Sequence, residues 1–587
     1  MNRLVVIVDT EWGYRGDKVG HESAWVAVVF CALVLLSGQE LAFLPGRDDN
    51  SLRAFLAEHR ESLFVSHSVP AEMKYLLRLG LPVPKHWHDT LVAERWLTNQ
   101  PVRPKVGLAS ALERRNLGHF VWTDKSEFRD KILNLDFEPD DPRFMAEVAE
   151  YCLQDCRGCG ALFSAQVSAP GERAKLERLM SWYPRYQLAV SRMELRGIPI
   201  DIATYQLVSE HWPQTREMFA SEINDITPIM TPSGLDRRKT TQWFKSMGLP
   251  LPTIFDKNDR KRRHSISDEA LKGVEHHHPF IAKMRQVQRT LKAFRNNRLV
   301  VDSVTGRHYS DIRPFATVTG RNAPTQFIFN MPKWYRFLIV PESPEHALVY
   351  VDYTAQEIGI AAALSHDPAM IAMYQADDPH MYFARLAGAV PDEAGKEENA
   401  AIRKKYKTVN LGVLYGQAAG GTAERLGISY QEAEKLHREH HRLFPAFWTW
   451  SERMVTTAIN RGSIRTRLGW RALVPPESNS RTWANWPMQA NGADIMRLTA
   501  MYMDEAGLEV LAPVHDGFLI SCRMDELAAI RRKVDYSCAS AVEHVLGDFK
   551  LKWTVSVHKD RFVDPDGLPL WETVQGFLQG AGHDRTA

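Results

Sequence analysis

Cysteine is scarce in this chain, with six among 587 residues, which excludes a disulfide-stapled scaffold and makes reduced thiols the expectation. Three of the six crowd into CLQDCRGC at 152–159, but no second half follows to complete a zinc site. Long apolar runs are missing too. The most apolar stretch, WVAVVFCALVLL at 25–36, is too short to cross a bilayer and reads as a buried strand, so no membrane partner is expected. The opening residues MNRLVVIVDTEW hold one Arg followed by acids, which is not a secretory signal, and a cytoplasmic location is expected. Internal repeats, low-complexity tracts and heptad arrays are absent. Charge of one sign is not in excess either: 73 Lys and Arg stand against 71 Asp and Glu, a formal net charge of +2. Any nucleic-acid contact must therefore come from local basic patches and not from a globally cationic surface.

Such patches exist at DRRK (236–239), KNDRKRRH (257–264) and RKKYK (403–407). A chain this long exceeds one hydrophobic core, so several domains are expected. Its 44% apolar and 25% charged residues are ordinary for a globular protein. The first ~165 residues alternate strand-like runs (LVVIVD, WVAVVFCALVLL, ELAFLP, LFVSHS) with helix-like ones (SLRAFLAEHR, AEMKYLLRL, RFMAEVAEYCLQDC), the pattern of an α/β domain. Residues 171 to about 300 are mostly polar with helical periodicity. The basic, Pro-rich stretch 230–264 within them reads as an exposed cationic loop. Mixed structure then returns, with strand candidates at ALVYVD (347–352) and VLAPVHDGFLISC (510–522).

Carboxylates carry the chemical signal. In LVYVDYTAQEIGIAA (348–362) an apolar strand ends at Asp352, and Glu357 heads the next apolar stretch. Alone, Asp352 could simply cap the following helix. In PVHDGFLI, however, the Asp516–Gly517 pair signals a tight hairpin between two apolar runs. If that hairpin lies beside the strand ending at Asp352, two aspartates converge, as a pair of Mg²⁺ ions requires for phosphoryl transfer. Between them, RKKYKTVNLGVLYG (403–416) sets Arg403, Lys407, Leu411 and Tyr415 four apart along one helical stripe. Cations there can hold a triphosphate, and the apolar and aromatic groups can pack on a base. An amphipathic surface helix with Tyr415 in the core would give the same spacing. Near the N-terminus, Asp9 and Glu11 flank Thr10 at an expected strand end and can share one face. Glu72 opens a helix, and Tyr151 and Asp155 stand one helical turn apart.

Taken in order, DYTAQE (352–357), R-x3-K-x7-YG (403–416) and VHD (514–516) resemble the three polymerase motifs of the family A DNA polymerases, those related to bacterial DNA polymerase I. MELRGIPID (193–201), TGR (319–321), DPH (378–380) and RTWANWPMQANGADI (481–495) extend the resemblance over most of the chain. The resemblance implies that Asp352 and Asp516, with the carbonyl of Tyr353, hold two Mg²⁺ ions (Mn²⁺ as a possible substitute). Arg403, Lys407 and His380 would contact the triphosphate, Leu411 and Tyr415 the nucleotide or template base, and Glu357 would exclude a ribose 2′-hydroxyl, with Tyr415 bracing it. Arg321, Arg481, Asn485, Gln489 and His515 would line the primer-template minor groove. The basic residues Lys261, Arg262 and Arg263 would add phosphate contacts. Leu411 stands where the family has Phe or Tyr, Gly517 where an acid usually follows, Gly359 where Arg follows the gate, and Phe329 at a usual Gln position.

The N-terminal set, Asp9, Glu11, Glu72, Tyr151 and Asp155, resembles the DEDD-type 3′–5′ exonuclease in its Y-x3-D form. HDTLVAERWL (88–97) resembles the segment after its second motif. By that resemblance the carboxylates hold two metals and Tyr151 orients the attacking water; Glu72 departs from the usual Asp. The implied architecture is an α/β multidomain chain: a ribonuclease-H-like exonuclease domain (1–170), a thumb (171–310), and a palm whose two segments (311–370 and 486–587) are separated in sequence by the fingers (371–485). With the first exonuclease strand beginning at Leu4, no 5′ nuclease domain is expected. Expected partners are primer-template DNA, deoxyribonucleoside triphosphates, and a helicase or single-strand-binding protein. The expected setting is a monomer replicating a phage genome in an infected bacterial cell. A nuclease whose second half only binds DNA would have lost Asp352, Asp516, Arg403 or Lys407. A non-enzymatic binder would gain nothing from carboxylates that repel phosphate.

Overall fold

Strands β1 (Val5–Tyr14) and β2 (Trp25–Val34) are rich in Val and Phe, side chains that fit a pleated surface. They pair antiparallel, and β3 (Gln39–Phe43) adds antiparallel to β2. Past α1 (Asp49–Glu58), β4 (Leu63–Ser66) runs parallel to β1. Helix α2 (Pro70–Arg78) then leads to β5 (His86–Asp89), parallel to β4. The mixed sheet is ordered β3-β2-β1-β4-β5. Phe55, Tyr75 and Trp87 fill one face. Beyond α3 (Thr90–Thr98), the long helix α4 (Pro142–Val167) covers the other with Cys152, Cys156 and Phe163. The strand end expected at Asp9 and Glu11 lies further on: after a register shift between Glu11 and Trp12, the ladder continues to Tyr14.

The computed structural model describes residues 3–16, 21–122, 125–138, 141–231, 233–256, 261–296 and 299–583. Residues 257–260 of the second basic run lie outside the described residues. Helix α5 (Tyr183–Arg196) follows the first sheet. The stretch 230–264, expected as a cationic loop, instead forms α6 (Arg237–Ser246) and a hairpin of β6 (Thr253–Asp256) and β7 (Lys261–His264). Asp236 caps α6 by accepting from the Lys239 N–H. Phe244 is fully buried against Leu271, Val274 and Ile281, so this segment has a small core of its own.

A second sheet positions the chemistry. Strand β8 (His346–Tyr353) runs into α7 (Gln356–Ser365), followed by α8 (Pro379–Leu386), α9 (Ala400–Leu414) and α10 (Ser480–Glu505). Then β9 (Glu509–Val514), β10 (Gly517–Arg523) and β11 (Trp553–His558) complete an antiparallel sheet ordered β9-β10-β8-β11. Helix α10 is buried over most of its circumference, with Trp483, Trp486, Met488 and Ile495 in the largest core, as a helix enclosed by other elements must be. Each such large apolar side chain contributes about 2 kcal/mol. The expected boundaries at 370/371 and 485/486 fall inside helices Pro368–Gln375 and Ser480–Glu505. Among the described residues, no helix is long and apolar enough to cross a membrane.

Candidate active site

Asp352 is held in the ladder opposite Gly517, and the Tyr353 N–H donates to the Asp516 carbonyl at 3.0 Å. The two acids are thus neighbours on adjoining strands. Asp352 caps nothing: the N-cap of α7 is Ala355, in a left-handed conformation with no side-chain cap. The hairpin turn sits one residue earlier than the Asp–Gly signal suggests. Val514 pairs with Gly517, so His515 (φ +52°) and Asp516 make the turn and Gly517 is a strand residue. A Cβ on Gly517 would stand 2.2 Å from the Val351 carbonyl oxygen and 3.1 Å from Asp352 Oδ1. The family's acid has no room here, because the strand backbone closes directly on Asp352. Burial raises the Asp352 pKa and Asp516 raises it further, against a hydrogen bond from the Tyr350 hydroxyl to Oδ1 at 3.2 Å. Tyr350 was absent from the expected set, although its position two residues before Asp352 puts it on the same strand face. An anionic pair disfavoured in this way, built of hard oxygen donors, fits a divalent cation.

Glu357 is 7% exposed. Its Oε1 accepts from the Tyr415 hydroxyl and from Arg321 Nη2, each at 2.9 Å, and the same Arg321 nitrogen lies 3.6 Å from Asp516 Oδ1. Tyr415 follows α9 as its C-cap and is 49% exposed, not in the core. Desolvation and the Glu357 carboxylate push its phenol up to about 12, so it remains a donor. These residues line a cleft of about 590 Å³ with Tyr186, Asn322, His515 and Asp516. Arg403 and Lys407 lie on α9. Arg403 donates to Asp378, whose other oxygen caps α8 by accepting from the His380 and Met381 N–H groups at 3.0 Å. His380 is buried, and desolvation lowers its pKa to about 4 with Lys407 and Arg403 adding to the effect, which makes it a neutral imidazole beside two cations.

The family departures are filled by packing. Leu411 lies half-buried against the main core. A Cβ on Gly359 would meet Leu551 at 2.4 Å and the Tyr374 ring at 2.7 Å, so Tyr374 takes the space of the usual Arg. Phe329 is buried against Phe327 and Phe562, with the Arg336 guanidinium 5.3 Å over its ring.

Along the expected groove, Arg481 is exposed at the start of α10 and lies against Gly416, and Gln489 is half-buried. Asn485 differs from expectation. It is buried, and its Nδ2 donates to the Leu414 carbonyl at 2.9 Å, tying α10 to the end of α9. The reason is the unpaired carbonyl at a helix C-terminus, which takes the nearest donor. Desolvation and Arg336 lower the pKa of His515 in its turn. Lys261, Arg262 and Arg263 are exposed on β7, far in sequence from the aspartate pair.

In the N-terminal sheet, carboxylate oxygens of Asp9, Glu11 and Asp155 lie within 4.8 Å of one another, the one such cluster among the described residues. The Cys152 thiol donates to Asp9 Oδ2 at 3.4 Å. Tyr151 is buried on α4, and its phenol is pushed upward by desolvation and then by the charges of Glu11, Asp155 and Asp9. Glu72, expected as a fourth ligand, stands outside the cluster. It is 2% exposed in the first turn of α2, and burial followed by Asp9 drives its pKa well upward. Its carboxyl interacts with Ser66 as well as with Asp9.

Residues 237–560 match the sequence profile of DNA polymerase family A. The chain is 28% identical over 390 residues to the thermostable DNA polymerase I of Thermus thermophilus, covering 61% of this chain and 46% of that protein. It is 25% identical over 348 residues to a DNA polymerase of Mycobacterium phage D29, covering 56% and 55%. The chain thus spans about half the length of these curated relatives. Its fold resembles the POL domain of Pol1 from M. smegmatis, solved in complex with DNA primer-template and dNTP, with a TM-score of 0.75, 22% identity and 95% of each chain covered. The chain belongs to DNA polymerase family A.

Proposed function

We propose that this chain is a DNA-directed DNA polymerase that extends a primer on a DNA template and carries a 3′–5′ proofreading exonuclease in its N-terminal domain. The observation that carries the reading is the pairing of Asp352 with Gly517, which brings Asp352 beside Asp516, a residue lining the cleft with Arg321, Glu357 and Tyr415. Asp352 and Asp516, with the Tyr353 carbonyl, would hold two Mg²⁺ ions, and Mn²⁺ would substitute. When bound, the cations supply charge neutralisation at the attacking and departing oxygens. Arg403, Lys407 and the neutral His380 bind the triphosphate from α9 and α8. Arg321, Arg481, Gln489 and His515 orient the primer-template, and Asn485 acts by fixing the end of α9. In the exonuclease reading, Asp9, Glu11 and Asp155 are the metal ligands and Tyr151 orients water. The mixed sheet order supports a ribonuclease-H-like unit.

Residues 1–170 would form the exonuclease, 171–310 the thumb, 311–370 and 486–587 the palm, and 371–485 the fingers. The likeness to a phage polymerase supports a role in replicating a phage genome; a monomer in the bacterial cytoplasm, with a helicase or single-strand-binding protein as accessory partner, completes the proposed setting. Primer extension with and without nucleotides tests the whole reading. Asp352→Ala or Asp516→Ala should lower extension on the order of a thousandfold while primer-template binding persists, since phosphate contacts elsewhere supply affinity. Asp9→Ala with Glu11→Ala should remove trimming and spare extension. Full extension by either palm variant would refute the assignment.

A further inference from the structure

The segment leading to Arg321 is irregular. Arg313 and Phe315 are non-glycine residues with φ of +52° and +56°, conformations that persist only where the surroundings impose them. Phe315 is fully buried between the Tyr183 and Trp470 rings, with centroids at 4.5 and 5.3 Å, and the Arg497 guanidinium lies 4.7 Å from its own. The segment belongs to no helix or strand, so its carbonyls need other donors. They find them in side chains. Arg95 Nη1 donates to the Pro314 carbonyl at 2.5 Å, Arg103 donates to that of Ala316, and Asn99 Nδ2 donates to that of Val318 at 2.8 Å. Trp470 and Trp486 also donate to Val318, at 3.1 and 3.2 Å, and Arg497 to Gly320 at 2.6 Å.

Arg95, Asn99 and Arg103 all come from the N-terminal domain, from α3 and the residues just after it. That end of α3 is anchored in the polymerase half. Trp96 Nε1 donates to the Gly469 carbonyl at 2.9 Å, Asn99 Nδ2 donates also to that of Arg471 at 2.7 Å, and the Asn99 carbonyl accepts from Leu473 at 2.7 Å. Beyond the braced carbonyls, the Thr317–Gly320 turn closes through Gly320 N–H to Thr317 O at 2.9 Å and delivers Arg321 to Glu357 and Asp516.

We propose that Asn99 and Arg103, with Arg95, are positioning residues for the polymerase site: the N-terminal domain holds the 314–320 backbone so that Arg321 meets Glu357 and Asp516. The inference rests on the polymerase reading of Asp352 and Asp516. It assigns the N-terminal domain a role in nucleotide insertion that is separate from its own carboxylate cluster.

Single-nucleotide insertion by the full chain at saturating primer-template tests it. Arg103 is exposed, so Arg103→Ala leaves the core intact and should melt with the wild type. Insertion should fall about tenfold, the scale of one charge-assisted hydrogen bond, and Arg103→Lys should restore much of it. Asn99→Ala should act in the same direction. In an Arg321→Ala background, Arg103→Ala should cause no further loss, because residues acting through one group are not additive. Wild-type insertion by Arg103→Ala, or a loss that multiplies with that of Arg321→Ala, overturns the inference. A wild-type chain that inserts no nucleotide overturns the polymerase reading instead, and the positioning role with it.

Discussion

At Glu357 the observed geometry and the proposed sugar selection meet in one side chain. Its Oε1 holds Tyr415 and Arg321, whereas Oε2 is buried with no hydrogen-bond partner. On the proposed reading the carboxylate would fill the volume that a ribose 2′-hydroxyl of the incoming nucleotide needs, so discrimination would arise from a clash and not from a new bond. Glu357→Ala should therefore raise ribonucleotide relative to deoxyribonucleotide incorporation roughly tenfold to a hundredfold, with deoxyribonucleotide extension weakened because Tyr415 and Arg321 lose their common acceptor. Glu357→Gln keeps the volume and should keep most of the discrimination. Matched single-nucleotide incorporation by the three proteins measures both ratios, and an unchanged ratio in Glu357→Ala assigns sugar selection elsewhere.

Among the elements, the β6–β7 hairpin is where phosphate contacts outside the cleft are proposed. Lys261, Arg262 and Arg263 are exposed along β7. Arg262 lies 3.6 Å from Glu424, with both side chains at least half exposed, a pair worth under about 1 kcal/mol, so a DNA phosphate can displace it. Replacing the three residues with Ala should shorten products. It should also reduce the slope of log affinity against log salt by about 2 to 3, since each phosphate contact releases close to one counterion. Titration of primer-template at several salt concentrations gives that slope, and an unchanged value returns the hairpin to the role of a solvated charged surface. Helix α3 carries a different load. Its N-cap Asp89 accepts from the Ser68 and Val69 N–H groups just ahead of Glu72, and its far end reaches the segment that leads to Arg321.

Over the whole molecule, buried imidazoles tie stability to pH. Desolvation lowers His88 and His308 to about 4 and His440 to about 3. In the unfolded chain each returns to the ordinary 6.5, so between that value and the folded one the unfolded state binds more protons. Their contribution is complete above pH 6.5 and is lost as pH falls toward 4. For His440 the loss by pH 5 is roughly 2 kcal/mol. His440 sits among Phe383, Phe444 and Trp448 and accepts from Trp448 Nε1 at 3.2 Å. His440→Gln should be less stable at pH 7 yet show a shallower decline between pH 6.5 and 5. Denaturant midpoints of the two proteins across that range decide it, and parallel declines would remove His440 as a source of the dependence.

Much of this was legible from local pattern. Apolar alternation marked β8 and the β9–β10 hairpin, helical spacing put Arg403, Lys407 and Leu411 on one helix, and the Tyr151 and Asp155 spacing put both on α4, because strand and helix periods are properties of neighbouring residues. Sequence order alone also determined which acids existed to be paired. What those patterns do not contain is register and packing. The turn moved from Asp516–Gly517 to His515–Asp516 because Gly517 must admit the β8 backbone. Asn485 turned from the groove to the Leu414 carbonyl because a helix end lacked a donor. Glu72 lies buried outside the three-carboxylate cluster, and the backbone leading to Arg321 takes donors more than two hundred residues away in the chain. Distances of a few ångströms between residues remote in sequence are set by how whole elements close on one another, and that closure is decided only in the tertiary structure.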